Sequence, residues 1–175
     1  MAYVATGAAS CRARGSQAAA RAPDPADSAV AELQRTDFAP FRMLNDMPLA
    51  MTAHVLYTAL DPDRPATLSH AVVQEVIRGF IGFDGVLMSD DLSMEALSGS
   101  LGHRAEECFR AGCDIALHCN GDLAEMREVA IVSPRLDGDA ERRCHAALGR
   151  LGAPRPFDVE SARATVRGLL PAHVA

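Results

Sequence analysis

A chain of 175 residues, 49% hydrophobic and 23% charged, has the size and composition of one globular domain and not of a disordered chain. Its 17 basic and 23 acidic residues leave a formal charge of −6, which argues against nucleic acid or an anionic membrane as a partner, since both reward a basic surface. All the basic residues are arginines, so chemistry that needs a lysine is excluded, from a Schiff base to a phosphate-loop or phosphoacceptor lysine.

No apolar run reaches the roughly 18 residues that would suggest a membrane-spanning helix. The cysteines (Cys11, Cys108, Cys113, Cys119 and Cys144) are odd in number and irregular in spacing, with no Cys-x-x-Cys. That pattern fits reduced thiols in a cytosolic protein better than a disulfide scaffold or a zinc site.

Residues 1–26 differ from the rest, with ten alanines, three arginines, one acid (Asp24) and no hydrophobic period. An Arg-rich, acid-poor leader has the look of a transit peptide, but it lacks the apolar core of a secretory signal. The segment reads as a disordered or aberrant leader.

From Asp27 the pattern becomes regular. Asp27 and Ser28 are placed to cap a helix through Gln34, and Asp37 to cap a second with Pro40 in its first turn. Pro48 to His54 is a short apolar run and predicts a buried strand. After the Asp- and Pro-rich loop 61–65, Ser69 is placed to cap a helix with Val73, Val76, Ile77 and Phe80 on one face and Gly82 beyond its end. The unit repeats: a strand at Gly85–Met88 runs into Ser89, Asp90 and Asp91, and a helix with Ala105, Cys108 and Phe109 on one face ends at Gly112. A third strand at Asp114–Leu117 runs into His118, Cys119 and Asn120, and Asp122 caps a helix to about Val132. Two more helices are predicted over 139–151 and 158–170.

Apolar, unalternating strands separated by helices predict a parallel sheet with helical cover, an α/β fold. All three strands end in polar groups: His54, then Asp90 and Asp91, then His118 and Asn120. The carboxyl ends of parallel strands are where such folds build sites, so these groups are expected around one crevice. Adjacent residues on a strand point to opposite faces, so only one of Asp90 and Asp91 is expected to face it. Asp91 suits the cap of the following helix. A lone histidine such as His54 is more often a hydrogen-bonded structural residue than a catalyst, and His118 is equally ambiguous. Met51 and Met94 fit a pocket wall or the core alike. Histidines from separate strands without ligand spacing predict no metal, and no motif calls for a cofactor.

Four stretches carry a family resemblance: Asp37–Arg42; Met51-Thr-Ala-His-Val-Leu-Tyr57; Gly82-Phe-Asp-Gly-Val-Leu-Met-Ser-Asp-Asp-Leu-Ser-Met94; and Ala111-Gly-Cys-Asp-Ile-Ala-Leu-His-Cys-Asn-Gly-Asp122. In that order they resemble the C-terminal part of the catalytic barrel of bacterial family 3 glycoside hydrolases, and among these the β-N-acetylhexosaminidases (β-N-acetylglucosaminidases) of cell-wall recycling. The resemblance implies a (β/α)8 TIM barrel of which the three strands are the last three. A full barrel takes about 250 residues, so the chain would hold an incomplete one. The implied domain division is a leader at 1–26, barrel at 27–152 and a helical tail at 153–175.

The resemblance also implies Asp90 as nucleophile, with His54 and Met94 as candidate pocket residues. The family's acid/base histidine, its aspartate partner and a substrate-holding Lys-His pair come ahead of the matched segment, and residues 1–26 show none of them. The implied activity is a cytoplasmic, retaining β-N-acetylhexosaminidase that takes an amino-sugar glycoside and releases terminal N-acetylglucosamine from peptidoglycan-derived muropeptides. This chain would be a truncated form of it. The alternative is a non-catalytic remnant that binds sugar or serves as a structural fragment.

Overall fold

A computed structural model describes residues 2–3, 20–21, 30–153 and 156–169. Three parallel strands form the centre of the molecule: β1 (Leu49–Met51), β2 (Val86–Asp91) and β3 (Ile115–Leu117). β2 lies in the middle, with Ala50 opposite Leu87 on one side and Met88 opposite Ile115 on the other. Most of the segment read as a leader lies outside the described residues. Its Ala2–Tyr3 pairs in parallel with Ala50 and Met51, and its Ala20–Arg21 with Val55 and Leu56.

Crossovers between the strands are helical, as parallel pairing requires. Between β1 and β2 the chain runs through a helix, Val72–Phe80, whose wide winding shows in the bond from the Ile81 amide to the Val76 carbonyl five residues back. Ser69 caps it through its hydroxyl, which accepts from the Val72 amide at 3.2 Å. Val72, Val73, Val76 and Ile77 are buried against the sheet, as the apolar spacing demands. Between β2 and β3 lies α3 (Leu101–Ala111), which buries Leu101, Ala105, Cys108 and Ala111. It ends at Gly112, whose φ of 113° is closed to side-chain-bearing residues without strain.

The core joins these elements through Phe38, Tyr57, Ile81, Phe83, Leu87, Leu92 and Leu97. The first two helices are α1 (Val30–Arg35) and α2 (Ala39–Arg42). The cap expected from Asp27 and Ser28 lies outside the described residues. Asp37 does not cap α2: the cap position falls to Phe38, buried in the core, and the Asp37 carboxylate instead accepts from the Thr36 hydroxyl at 2.6 Å.

After β3 come α4 (Leu123–Val132), capped by Asp122 through bonds from the Ala124 and Glu125 amides, α5 (Gly138–Leu148) and α6 (Val159–Leu169). At the amino ends of the strands, Asp114 accepts from the Leu87 amide, Arg78 and Arg143 at 2.8–2.9 Å and so ties β2, the wide helix and α5 together. Burial pushes the Arg78 guanidinium below its ordinary value, and Asp114 counters this. Among the described residues no helix is long and apolar enough to cross a membrane.

Candidate active site

β2 is longer than its apolar run and continues through both aspartates. Its pairing with β3 slips at the end: Met88 faces Ile115 but Asp91 faces Leu117, so three steps on β2 match two on β3. This bulge falls at Ser89 and Asp90, and the Ser89 hydroxyl fills the broken ladder by accepting from the Leu117 amide at 2.8 Å. Strict alternation therefore does not separate Asp90 from Asp91 here; their hydrogen bonds do.

Both carboxylate oxygens of Asp91 are committed. Oδ1 accepts from the amides of Ser93 (3.0 Å) and Cys119 (3.2 Å), and Oδ2 from the Ser93 hydroxyl (2.7 Å). Burial pushes this carboxyl up, but the bonds from Ser93 and Cys119 and the neighbouring His118 outweigh it, so Asp91 sits below its ordinary value. The expected helix cap is corrected: α3 begins ten residues later, at Leu101, and Ser100 caps it by accepting from the His103 amide. Asp91 braces the turn after β2 against the end of β3.

Asp90 is placed otherwise. Its Oδ1 accepts from the Asp91 amide at 2.8 Å, and Oδ2 has no bond among the described residues. The side chain is half-buried, fixed at one oxygen and open at the other.

His54 follows β1 and is 4% exposed. Its Nε2 donates to the Asp91 carbonyl at 2.9 Å, and its Nδ1 bonds Thr67 Oγ1 at 2.8 Å. Thr67 Oγ1 also meets Thr52 Oγ1 at 2.9 Å, and both threonines are buried. Both ring nitrogens are thus engaged within the protein, beside the nucleophile candidate. Met94 lies in the turn after β2, 36% exposed, where its carbonyl and that of Leu92 accept from Arg104. Met51 is 4% exposed and belongs to the core.

At the end of β3, His118 has a side chain only 6% exposed, with Nε2 3.3 Å from Glu125 Oε2. Neither ring nitrogen makes a hydrogen bond among the described residues. Asn120 serves the start of α4: its carbonyl accepts from the Asp122 amide at 2.9 Å, and its amide donates to Glu125. Cys119 is exposed, its thiol raised by slight burial and by Asp91 and Asp90. The strand ends therefore do meet, with β1 and β3 each holding Asp91 from its own side. Thr52, Thr67 and Ser89 complete the arrangement. Sequence reasoning missed them, because a threonine or serine in an apolar run or a loop carries no periodic signal. Among the described residues no three His, Cys, Asp or Glu side chains could hold a metal ion.

Parallel strands that deliver carboxylates and histidines to their carboxyl ends place the chain among the α/β proteins, barrels included, that build their sites there. The model of the glycosyl hydrolase family 3 N terminal domain matches residues 16–150, and the chain belongs to that family. It is 47% identical over 94 residues to a beta-hexosaminidase of Tolumonas auensis, covering 51% of this chain and 28% of the relative. It is 44% identical over 131 residues to a beta-hexosaminidase of Bordetella pertussis, covering 71% of this chain and 36% of the relative. NagZ from Neisseria gonorrhoeae, solved in complex with N-trifluoroacetyl-D-glucosamine, superposes with a TM-score of 0.60 at 31% identity, over 80% of this chain and 40% of that one. The chain thus spans about a third of the curated relatives it matches. Its three parallel strands and their helices are part of a (β/α)8 barrel.

Proposed function

We propose that this chain carries the nucleophile-bearing part of a retaining β-N-acetylhexosaminidase acting on peptidoglycan-derived muropeptides in the cytoplasm. The observation that carries the reading is the contrast between the two aspartates at the end of β2. Asp91 spends both oxygens on the protein, while Asp90 has one oxygen oriented by a backbone amide and one uncommitted. Names of relatives and the amino sugar bound to NagZ support the substrate class.

In the proposed reaction an Asp90 oxygen attacks the anomeric carbon as the bond to the leaving oxygen breaks. Water then hydrolyses the glycosyl ester, and two inversions give net retention. The carboxylate also stabilises the positive charge on the sugar in both transition states. Protonation of the leaving oxygen needs a second group. By resemblance that group is a histidine on a loop ahead of the matched segment, so on this reading the remaining barrel units supply it.

The test pairs this chain with the part of the Bordetella pertussis relative that precedes the matched region and follows hydrolysis of an aryl β-N-acetylglucosaminide. The paired protein is expected to release the β-anomer first, and Asp90→Asn to lower the rate by about a thousandfold or more. Hydrolysis that survives Asp90→Asn would reject the assignment. A pair that assembles, binds N-acetylglucosamine and hydrolyses nothing would favour the non-catalytic, sugar-binding reading.

A further inference from the structure

We propose that His54 is a positioning residue for the Asp90 carboxylate, acting through the backbone of Asp91. The role in the reaction rests on Asp90 being the nucleophile; the positioning itself does not.

A carbonyl oxygen can only accept, so the 2.9 Å contact to Asp91 requires the hydrogen on His54 Nε2. In the neutral ring Nδ1 then accepts from the Thr67 hydroxyl, and Thr67 Oγ1 in turn accepts from Thr52. The donors run one way, from Thr52 through Thr67 and His54 to the Asp91 carbonyl. All three side chains in this line are buried: Thr52 is 1% exposed, Thr67 0% and His54 4%. Water has little access to replace a missing link.

Asp91 is held at every polar group it has. Its carbonyl accepts from His54 and, at the longer distance of 3.2 Å, from the Met94 amide. Its carboxylate accepts from Ser93 and Cys119. The peptide that carries the Asp91 carbonyl is also pinned to β3, because its N–H is the Leu92 amide, which donates to the Leu117 carbonyl at 2.9 Å. What remains is the Asp91 amide, and it donates to Asp90 Oδ1 at 2.8 Å. The direction of that N–H sets the rotation of the Asp90 carboxylate and so where its free oxygen lies. The bulge at Ser89 and Asp90 removes regular ladder bonds that would otherwise hold this stretch, which leaves the clamp on Asp91 to do it.

His54 thus joins the end of β1 and the turn containing Thr67 to the Asp91–Leu92 peptide, across one Cα from the Asp90–Asp91 peptide whose N–H orients the candidate nucleophile. Its two nitrogens are both used in doing so, which distinguishes this role from direct contact with a sugar.

The experiment uses the full chain and four forms: wild type, His54→Leu, His54→Gln and Thr67→Val. Glutamine can place an amide donor near the position of Nε2 and an acceptor toward Thr67, so it is the rescue variant. Amide hydrogen exchange, read residue by residue, is expected to quicken at Asp91 by roughly tenfold in His54→Leu, as the loss of one buried hydrogen bond implies. It should quicken less in Thr67→Val and least in His54→Gln, while Val86 and Leu87 at the other end of β2 keep their wild-type protection. Equal loss at Val86, Leu87 and Asp91 would mean that His54 is a general structural residue, and no change at Asp91 would likewise overturn the proposal.

A second readout tests the consequence for chemistry. A 5-fluoro β-N-acetylglucosaminyl fluoride needs no acid: an Asp90 oxygen bonds to the anomeric carbon, the carbon–fluorine bond breaks, and its electron pair leaves as fluoride. Mass spectrometry then follows the ester on Asp90. Labelling is expected to slow by about tenfold in His54→Leu with half-saturation little changed, and to recover in His54→Gln. Equal labelling rates in wild type and His54→Leu would overturn the proposal. If wild type itself takes no label, the nucleophile assignment fails for the isolated chain, and the exchange pattern alone decides the positioning.

Discussion

Asp90 and Asp91 carry the same functional group one residue apart, and their partners make them different. The Asp91 carboxylate receives three hydrogen bonds, from the Ser93 and Cys119 amides and the Ser93 hydroxyl, and an asparagine oxygen in the place of Oδ1 could still accept the two from the amides. Asp91→Asn is therefore expected to cost about 1 kcal/mol of stability and to lower hydrolysis by the paired enzyme less than tenfold. Asp90→Asn keeps its bond from the Asp91 amide and loses the charge, so it should leave stability nearly unchanged while removing activity. Urea denaturation and the aryl-glycoside assay on both variants check this. A larger loss of activity from Asp91→Asn would move the nucleophile to Asp91.

At the scale of elements, the apolar runs at β1, β2 and β3 and the spacing of Val73, Val76 and Ile77 were legible, because burial imposes them directly on residue choice. The caps at Ser69 and Asp122 were legible for the same local reason. The bulge at Ser89 and Asp90 was not, since it depends on how β2 meets β3 and leaves no local sign. Nor was the His54 line of hydrogen bonds, whose members Thr52, Thr67 and Asp91 lie on three segments. The seating of α5 belongs to the same kind. Asp84, just ahead of β2, accepts from Arg142 at 2.7 and 2.9 Å and from Arg143 at 3.0 Å, partners nearly 60 residues on. The bonds from Arg142, then those from Arg143, hold the Asp84 carboxyl down to about 2, against an ordinary 3.8. A depressed carboxylate contributes stability above its unfolded value and loses it as the pH falls through the folded one. The difference in melting temperature between wild type and Asp84→Asn is thus expected to be constant above pH 5, to shrink below about pH 4 and to vanish only below about pH 2. Because Asp84 is largely exposed, added salt should also reduce it. A difference that is the same at pH 2 and pH 6 would show that α5 is not held by this charge.

Across the whole molecule, burial is uneven. β2 is covered on both sides, but all three residues of β3 are half-exposed, and no strand pairs with its outer edge among the described residues. None of α4, α5 and α6 has a buried residue, and Leu123, Ile131, Leu148, Leu151, Phe157 and Leu169 are each more than half exposed. In a closed barrel every strand has two neighbours, and the matched region makes up only 28% and 36% of the two curated relatives. Apolar surface left in water forgoes about 25 cal/mol per Å2, and an unpaired strand edge offers a template for other chains. The 175-residue chain alone is therefore expected to self-associate and to bind a hydrophobic dye such as ANS, with a broad unfolding transition. Adding the preceding part of the Bordetella pertussis relative should lower dye binding, protect the Ile115–Leu117 amides from exchange and give a one-to-one complex by light scattering. Ala116→Pro, which removes an amide hydrogen from β3, should weaken that complex if the edge is the seam. A monodisperse monomer with a sharp transition and protected β3 amides, obtained without the added part, would show that the chain covers this edge by itself.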